Sequence, residues 1–261
     1  MCRVFAIANQ KGGVGKTAIT TNLGVGFARN GKRVLVIDAD PQGNLTSSLG
    51  IDNADELENT VASFISREID DIQIEASEYI LHNDEGVDLV PCNINLAALD
   101  NKIMNAYSRE HLLDALVAEV KDDYDVILID CSPSLNLVTI NVLTAADSVI
   151  IPVEASYLSM AGLQQLLSSI GSIKKKLNRN LDVCGIVINK VNPRTNHEKD
   201  IIEKLQSDYG TKLKIFESMI PESVRAKECT AHGISIYEYD PKGKVALAFE
   251  NLTKEVLEYA C

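Results

Sequence analysis

At 261 residues, 46% hydrophobic and without tryptophan, the chain is long enough for one large α/β domain or two small ones, with a core built mainly from Val, Ile, Leu and Ala. No apolar run approaches the length of a membrane span, the six cysteines are scattered without a C-x-x-C pair and read as free cytosolic thiols, and the four dispersed histidines make no metal-ligand cluster. The net charge of −12 argues against nucleic acid until its distribution is read: residues 50–130 carry 20 Asp/Glu against 4 Lys/Arg, whereas residues 170–227 carry 12 Lys/Arg against 7 Asp/Glu, so an acidic part and a basic part are expected on one molecule.

In chain order, Met1-Cys2-Arg3 leads directly into Val4-Phe5-Ala6-Ile7-Ala8, so no secretory leader is expected and a cytoplasmic protein is. That run is the first predicted strand. A glycine-rich turn follows, then a helix over Thr17–Asn30 that stops at Gly31. Val34–Ile37 is the second strand. Residues 50–90 are polar and acidic and predict a helix-rich excursion before a strand at Val87–Val90. Ser108–Lys121 places Leu112, Leu113, Leu116, Val117 and Val120 at helical spacing. Further strands are predicted at Val126–Ile129, Val149–Val153 and Val183–Ile188, with helices over Ser159–Asn178 and Lys244–Tyr259. Short β-branched runs without polar alternation mark strands buried on both faces. Alternating with helices, they predict an α/β fold: a doubly wound, mostly parallel β-sheet flanked by helices on both faces, in a single domain over 1–261.

The turn after the first strand carries the chemistry. Gly12, Gly13 and Gly15 permit close backbone approach, and their N–H groups with the helix N-terminus suit phosphate oxygens. Lys16 is placed to reach the β- and γ-phosphates and Thr17 to ligate Mg²⁺. Asp130 closes an apolar strand where a carboxylate holds the Mg²⁺ shell. Asp38 and Asp40 follow the second strand; Asp40 is the better candidate for handling water, and Asp38, one residue deeper, is expected either to be structural or to support the site residues from behind. Lys11 is a second lysine that an ordinary phosphate loop does not need.

Lys11-Gly12-Gly13-Val14-Gly15-Lys16-Thr17, Asp38-Ala39-Asp40-Pro41-Gln42-Gly43-Asn44 and Ile129-Asp130-Cys131-Ser132-Pro133-Ser134 resemble the ParA/Soj/MinD class of deviant-Walker-A P-loop ATPases, and Ile220–Phe249 is similar to the ParA/Soj C-terminal block. The D-x-D-P-Q-G-N stretch favours ParA/Soj over MinD. The resemblance implies an ATPase of weak intrinsic activity. ATP and ADP would be held by Lys11, Gly12, Gly13, Val14, Gly15, Lys16, Thr17, Ala18, Asn189 and Pro221, with Asn189 and Pro221 at the adenine. Mg²⁺ would be held at Thr17, Asp40 and Asp130, and catalysis would fall to Lys11, Lys16 and Asp40. In the family two ATPs are sandwiched in a homodimer, and the lysine matched by Lys11 reaches the nucleotide of the other subunit, as an arginine finger does.

Arg194 and Arg225 match arginines that bind non-specific DNA in Soj-like members, which implies a nucleoid-associated, ATP-bound dimer released when a ParB/Spo0J-like partner stimulates hydrolysis. Ala18 replaces a usual Thr, and Glu222 stands where close relatives often carry Arg. No N-terminal helix-turn-helix extension precedes the loop, so operator-specific autorepression is not expected. The rival readings are a nucleotide-gated dimer that recruits or positions a protein without DNA, a MinD-like membrane regulator, and an iron-sulfur ATPase. The acidic C-terminus disfavours the membrane regulator, and the unpaired cysteines disfavour the iron-sulfur reading.

Overall fold

A computed structural model describes residues 2–73, 75–192 and 196–260. Its strands are β1 (Arg3–Ile7), β2 (Val34–Ala39), β3 (Leu81–His82), β4 (Asp88–Val90), β5 (Val126–Cys131), β6 (Ser148–Glu154) and β7 (Asp182–Asn189). Its helices are α1 (Lys16–Arg29), α2 (Asn44–Ser48), α3 (Val61–Ile69), α4 (Asn95–Ala98), α5 (Asp100–Met104), α6 (Leu112–Val120), α7 (Leu137–Ala145), α8 (Tyr157–Lys176), α9 (Asn196–Tyr209), α10 (Val224–Ala231), α11 (Ile236–Tyr239) and α12 (Lys244–Ala260). The strands form one sheet in the order β3-β4-β2-β5-β1-β6-β7. All neighbours are parallel except the short edge pair β3–β4.

Each central strand is buried on both faces, which is why its sequence runs apolar instead of alternating. Phe5, Ile7, Val36 and Leu128 face Ile19, Leu23 and Phe27 of α1 and Phe249 and Leu252 of α12. Val4, Ala6, Leu35, Ile37 and Ile129 face Phe64 of α3, Leu113 and Leu116 of α6, Val142 of α7 and Leu166 of α8. Burying side chains of this kind contributes roughly 1.5–3 kcal/mol each. Gly24 lets α1 lie close on the sheet, since a Cβ there would sit 2.9 Å from Val36 Cγ1.

Three predicted boundaries move for identifiable reasons. The second strand does not stop at Ile37: pairing with β5 continues through Asp38↔Asp130 and Ala39↔Cys131, so Asp38 lies inside β2. The 108–121 helix begins only at Leu112, where the Asn141 Oδ1 accepts the Leu112 and Leu113 N–H groups at 2.7 and 3.3 Å. The acidic 50–90 stretch holds α3, but it also contributes the antiparallel β3–β4 edge. Among the described residues, no helix is long and apolar enough to cross a membrane.

Candidate functional site

The carboxyl ends of β1, β2 and β5 gather charge that the core cannot solvate. After β1 the chain turns through Gly13 (φ 77°) and Gly15 (φ 90°), a left-handed conformation that costs a side chain energy. Gly15 is the N-cap of α1 and contributes no side chain to it, and the first turn carries no acidic residue, so the turn's N–H groups are left to an anion. Lys16 is buried at 7% exposure in that first turn. Thr17 Oγ1 donates to Asp130 Oδ2 at 2.7 Å, and Thr20 Oγ1 lies 3.4 Å from Oδ1. Asp130 is 1% exposed. Burial pushes its carboxyl up to about 8, the Asp38 charge adds to this, and the Thr17 hydroxyl and Lys16 oppose it.

Asp38 is fully buried and accepts from the Asp40 N–H (3.1 Å), the Thr46 N–H (2.9 Å) and Thr46 Oγ1 (2.7 Å). Burial raises its carboxyl to about 6 against those three donors. It ties the Asp40–Asn44 turn to α2, the structural role expected of it. Asp40 accepts the Gln42 N–H at 3.0 Å and walls the cleft.

Thr17 and the two carboxylates, Asp40 and Asp130, are hard oxygen donors beside a loop shaped for phosphate. Three buried acids against one buried lysine leave negative charge that a divalent cation would offset, so the residues fit Mg²⁺. Among the described residues, no cluster of three or more His, Cys, Asp or Glu side chains makes a metal cage by itself. Phosphate and water would have to complete the shell.

A cleft of about 480 Å³ opens over the loop, the size of a small-molecule site. It brings together Gly12, Gly13, Gly15, Lys16, Thr17 and Ala18 with Asp40, Asn189 and Pro221. Val14 is buried and turned away, its carbonyl accepting from Asn189 Nδ2 at 2.7 Å. Lys11 sits beside the loop with Nζ on Glu154 Oε2 at 2.7 Å and Ser156 Oγ at 3.1 Å. Glu154 also pairs with Lys190 Nζ at 3.2 Å, and both lysines hold its carboxyl below the usual value against partial burial.

Glu154 and Lys190 escape sequence reading. Each follows an apolar run and carries no motif, and the Lys11–Glu154 contact spans 143 residues. Arg194 lies outside the described residues. Arg225, in the first turn of α10, is paired with Asp240 at 2.7 Å. Other cations of the basic segment are also compensated: Lys174 by Asp182, Lys214 by Glu255 and Lys227 by Glu222, at 3.3, 3.2 and 3.7 Å.

The comparisons with known proteins agree with this geometry. A family described as an AAA domain matches residues 2–183. The sporulation initiation inhibitor protein Soj of Bacillus subtilis is 41% identical over 98% of both chains. The chromosome partitioning protein ParA of Caulobacter vibrioides is 34% identical over 98% of this chain and 94% of its own. Among solved structures, one described as cobyrinic acid a,c-diamide synthase of Mycobacterium smegmatis, with bound ADP and magnesium, superposes with a TM-score of 0.85 at 34% identity, over 99% of this chain and 95% of that one. A seven-stranded sheet with a glycine loop at its carboxyl edge, and near full-length likeness to partition proteins at up to 41% identity, identify this chain as a member of the Soj/ParA family of chromosome-partitioning ATPases.

Proposed function

We propose that the protein is an ATP-gated dimerising switch that carries or positions DNA. ATP would occupy the 480 Å³ cleft, with its phosphates on the Gly12–Thr17 N–H groups and its base against Asn189 and Pro221. Lys16 would neutralise the β- and γ-phosphates, and Asp40 would orient the attacking water. Mg²⁺, held by Thr17 with Asp130 and Asp40, would supply charge neutralisation between the phosphates. The observation that carries the reading is Lys11. Its ammonium lies beside the loop, held by Glu154 at 2.7 Å and Ser156 at 3.1 Å. A lysine at the rim of the loop that exchanged Glu154 for a second subunit's nucleotide would make hydrolysis depend on pairing. The ATP-bound pair would then hold non-specific DNA through Arg194 and Arg225. A ParB/Spo0J-like partner would stimulate hydrolysis, and ADP-bound monomers would leave.

A second reading keeps the dimer switch but replaces DNA with a protein partner. The Arg225–Asp240 pair favours it, because a compensated arginine offers less to phosphate. DNA retention with ATP and Mg²⁺ against ADP, over a salt series, separates the two. Binding that requires ATP, weakens with salt and is lost in the Arg194→Ala/Arg225→Ala variant supports the DNA carrier. ATP-driven dimers that hold no DNA even at low salt leave the protein-recruiting switch.

A further inference from the structure

The carboxyl end of β7 does more than border the cleft. Asn189 is 4% exposed, and both ends of its amide are committed inside the protein. Nδ2 donates to the Val14 carbonyl at 2.7 Å, and Oδ1 accepts the Lys190 N–H at 2.9 Å. The same amide lies against Gly15, where any Cβ would run into it. The next residue, Lys190, takes a left-handed backbone (φ 57°), rare and strained for a residue with a side chain. From that position its ammonium donates to the Gly13 carbonyl and pairs with Glu154 at 3.2 Å. Two consecutive residues thus hold two consecutive carbonyls of the phosphate loop. A loop whose carbonyls are held outward keeps its N–H groups turned inward, toward the phosphates.

We propose that Asn189 and Lys190 are positioning residues for the phosphate loop: the Asn189 amide on the Val14 carbonyl and the Lys190 ammonium on the Gly13 carbonyl set the loop for phosphate before any nucleotide binds. The strain at Lys190 is what puts its side chain over the loop. Glu154 anchors that ammonium from behind and, because it also holds Lys11, links the brace to the lysine at the rim. This assigns Asn189 a role beyond contact with a base: its effect reaches any ligand that carries the phosphates, whatever base is attached. The inference rests on the ATPase reading only for the identity of the ligand.

The test is calorimetric titration of wild type, Asn189→Ala, Lys190→Met and Lys190→Arg with ATP, ITP and inorganic tripolyphosphate in Mg²⁺, with melting midpoints to confirm folding. Removing one buried hydrogen bond to the loop is expected to weaken ATP about tenfold in Asn189→Ala. ITP and tripolyphosphate should weaken by the same factor, so that the ATP-to-ITP ratio is unchanged. Lys190→Met should lower all three together, by about threefold to tenfold, and Lys190→Arg should recover most of the loss.

A collapse of the ATP-to-ITP ratio in Asn189→Ala with tripolyphosphate affinity intact would overturn the proposal and leave Asn189 a reader of the base. Unchanged affinities in both Asn189→Ala and Lys190→Met would also overturn it, as would wild type that binds ATP but neither ITP nor tripolyphosphate, because the base would then carry the affinity. A wild type that binds tripolyphosphate and ITP as tightly as ATP, with the variants weakened alike, would sustain the brace while removing adenine from the functional reading. If wild type binds none of the three, both the brace and the ATPase reading fail.

Discussion

The two edges of the sheet carry charge in opposite ways. At the carboxyl edge, Lys16, Asp38, Asp40 and Asp130 are between 0% and 7% exposed, and the carboxyls of Asp38 and Asp130 are driven up to about 6 and about 8. At the amino edge, Arg33 and Asp125 pair at 3.0 Å with side chains 60% and 38% exposed. The first group costs folding energy, because buried acids outnumber their counter-charge. The second is solvated and nearly neutral in its effect. A protein keeps the costly arrangement where it binds something that repays it, so the contrast itself marks the functional edge.

The largest effect is expected from Asp40→Ala. If the carboxyl edge exists for hydrolysis, phosphate release should fall about 100-fold or more, while ATP affinity stays within about threefold, because general-base assistance acts in the transition state. Phosphate release and equilibrium titration check this. An affinity that collapses together with the rate would mean that Asp40 acts mainly by holding Mg²⁺ and not by orienting water.

Gly12→Val tests whether the edge is shared between two subunits. Gly12 has no left-handed backbone, and a Cβ there meets nothing within 4 Å in the single chain. The variant should therefore fold and bind ATP as wild type does. It should fail to form ATP-driven dimers in light scattering, with hydrolysis down at least about tenfold because the charge supplied across the seam is lost. Normal dimers would place the seam elsewhere.

Glu154→Gln is a finer probe. Glu154 holds Lys11 at 2.7 Å within one chain, and Lys11 can serve a neighbour only by leaving it. Removing that charge should tighten ATP-dependent dimerisation about twofold to fivefold, the range of a partly exposed ion pair. Looser dimers would mean that Glu154 presents Lys11 instead of restraining it.

The same contrast explains what could be read from the sequence. β1, β2, β5, β6 and β7 were legible because burial on both faces leaves apolar runs without alternation, and the loop was legible because Gly13, Gly15, Lys16 and Thr17 are contiguous. Asp130 was found from its place at the end of such a run. Asp38 was placed one step outside its strand, because local hydropathy ends at Ile37 while the β5 pairing continues to Ala39. β4 was legible at Val87–Val90, but its antiparallel partner β3 was not, because Leu81–His82 is too short for periodicity to register. Glu154 and Lys190 were missed because strand order, not sequence, brings β6 beside β1 and β7 beside β6. Neither the basic excess of 170–227 nor the identity of Arg225 revealed that Asp240 would compensate it.

The smallest effect belongs to the amino edge. Arg33 donates to Asp125 through its guanidinium and its backbone N–H, and together these pull the Asp125 carboxyl down to about 2. A depressed acid stabilises the fold above its ordinary value near 4 and loses that contribution as pH falls toward 2. Both partners are exposed to solvent, so Asp125→Asn should lower the melting midpoint by only about one to two degrees at neutral pH, a gap that closes by about pH 2. Thermal scans of the two proteins across that range check it. A gap of many degrees would mean that the amino edge also stores substantial electrostatic energy. Burial at the carboxyl edge would then no longer be what separates a binding site from an ordinary solvated pair.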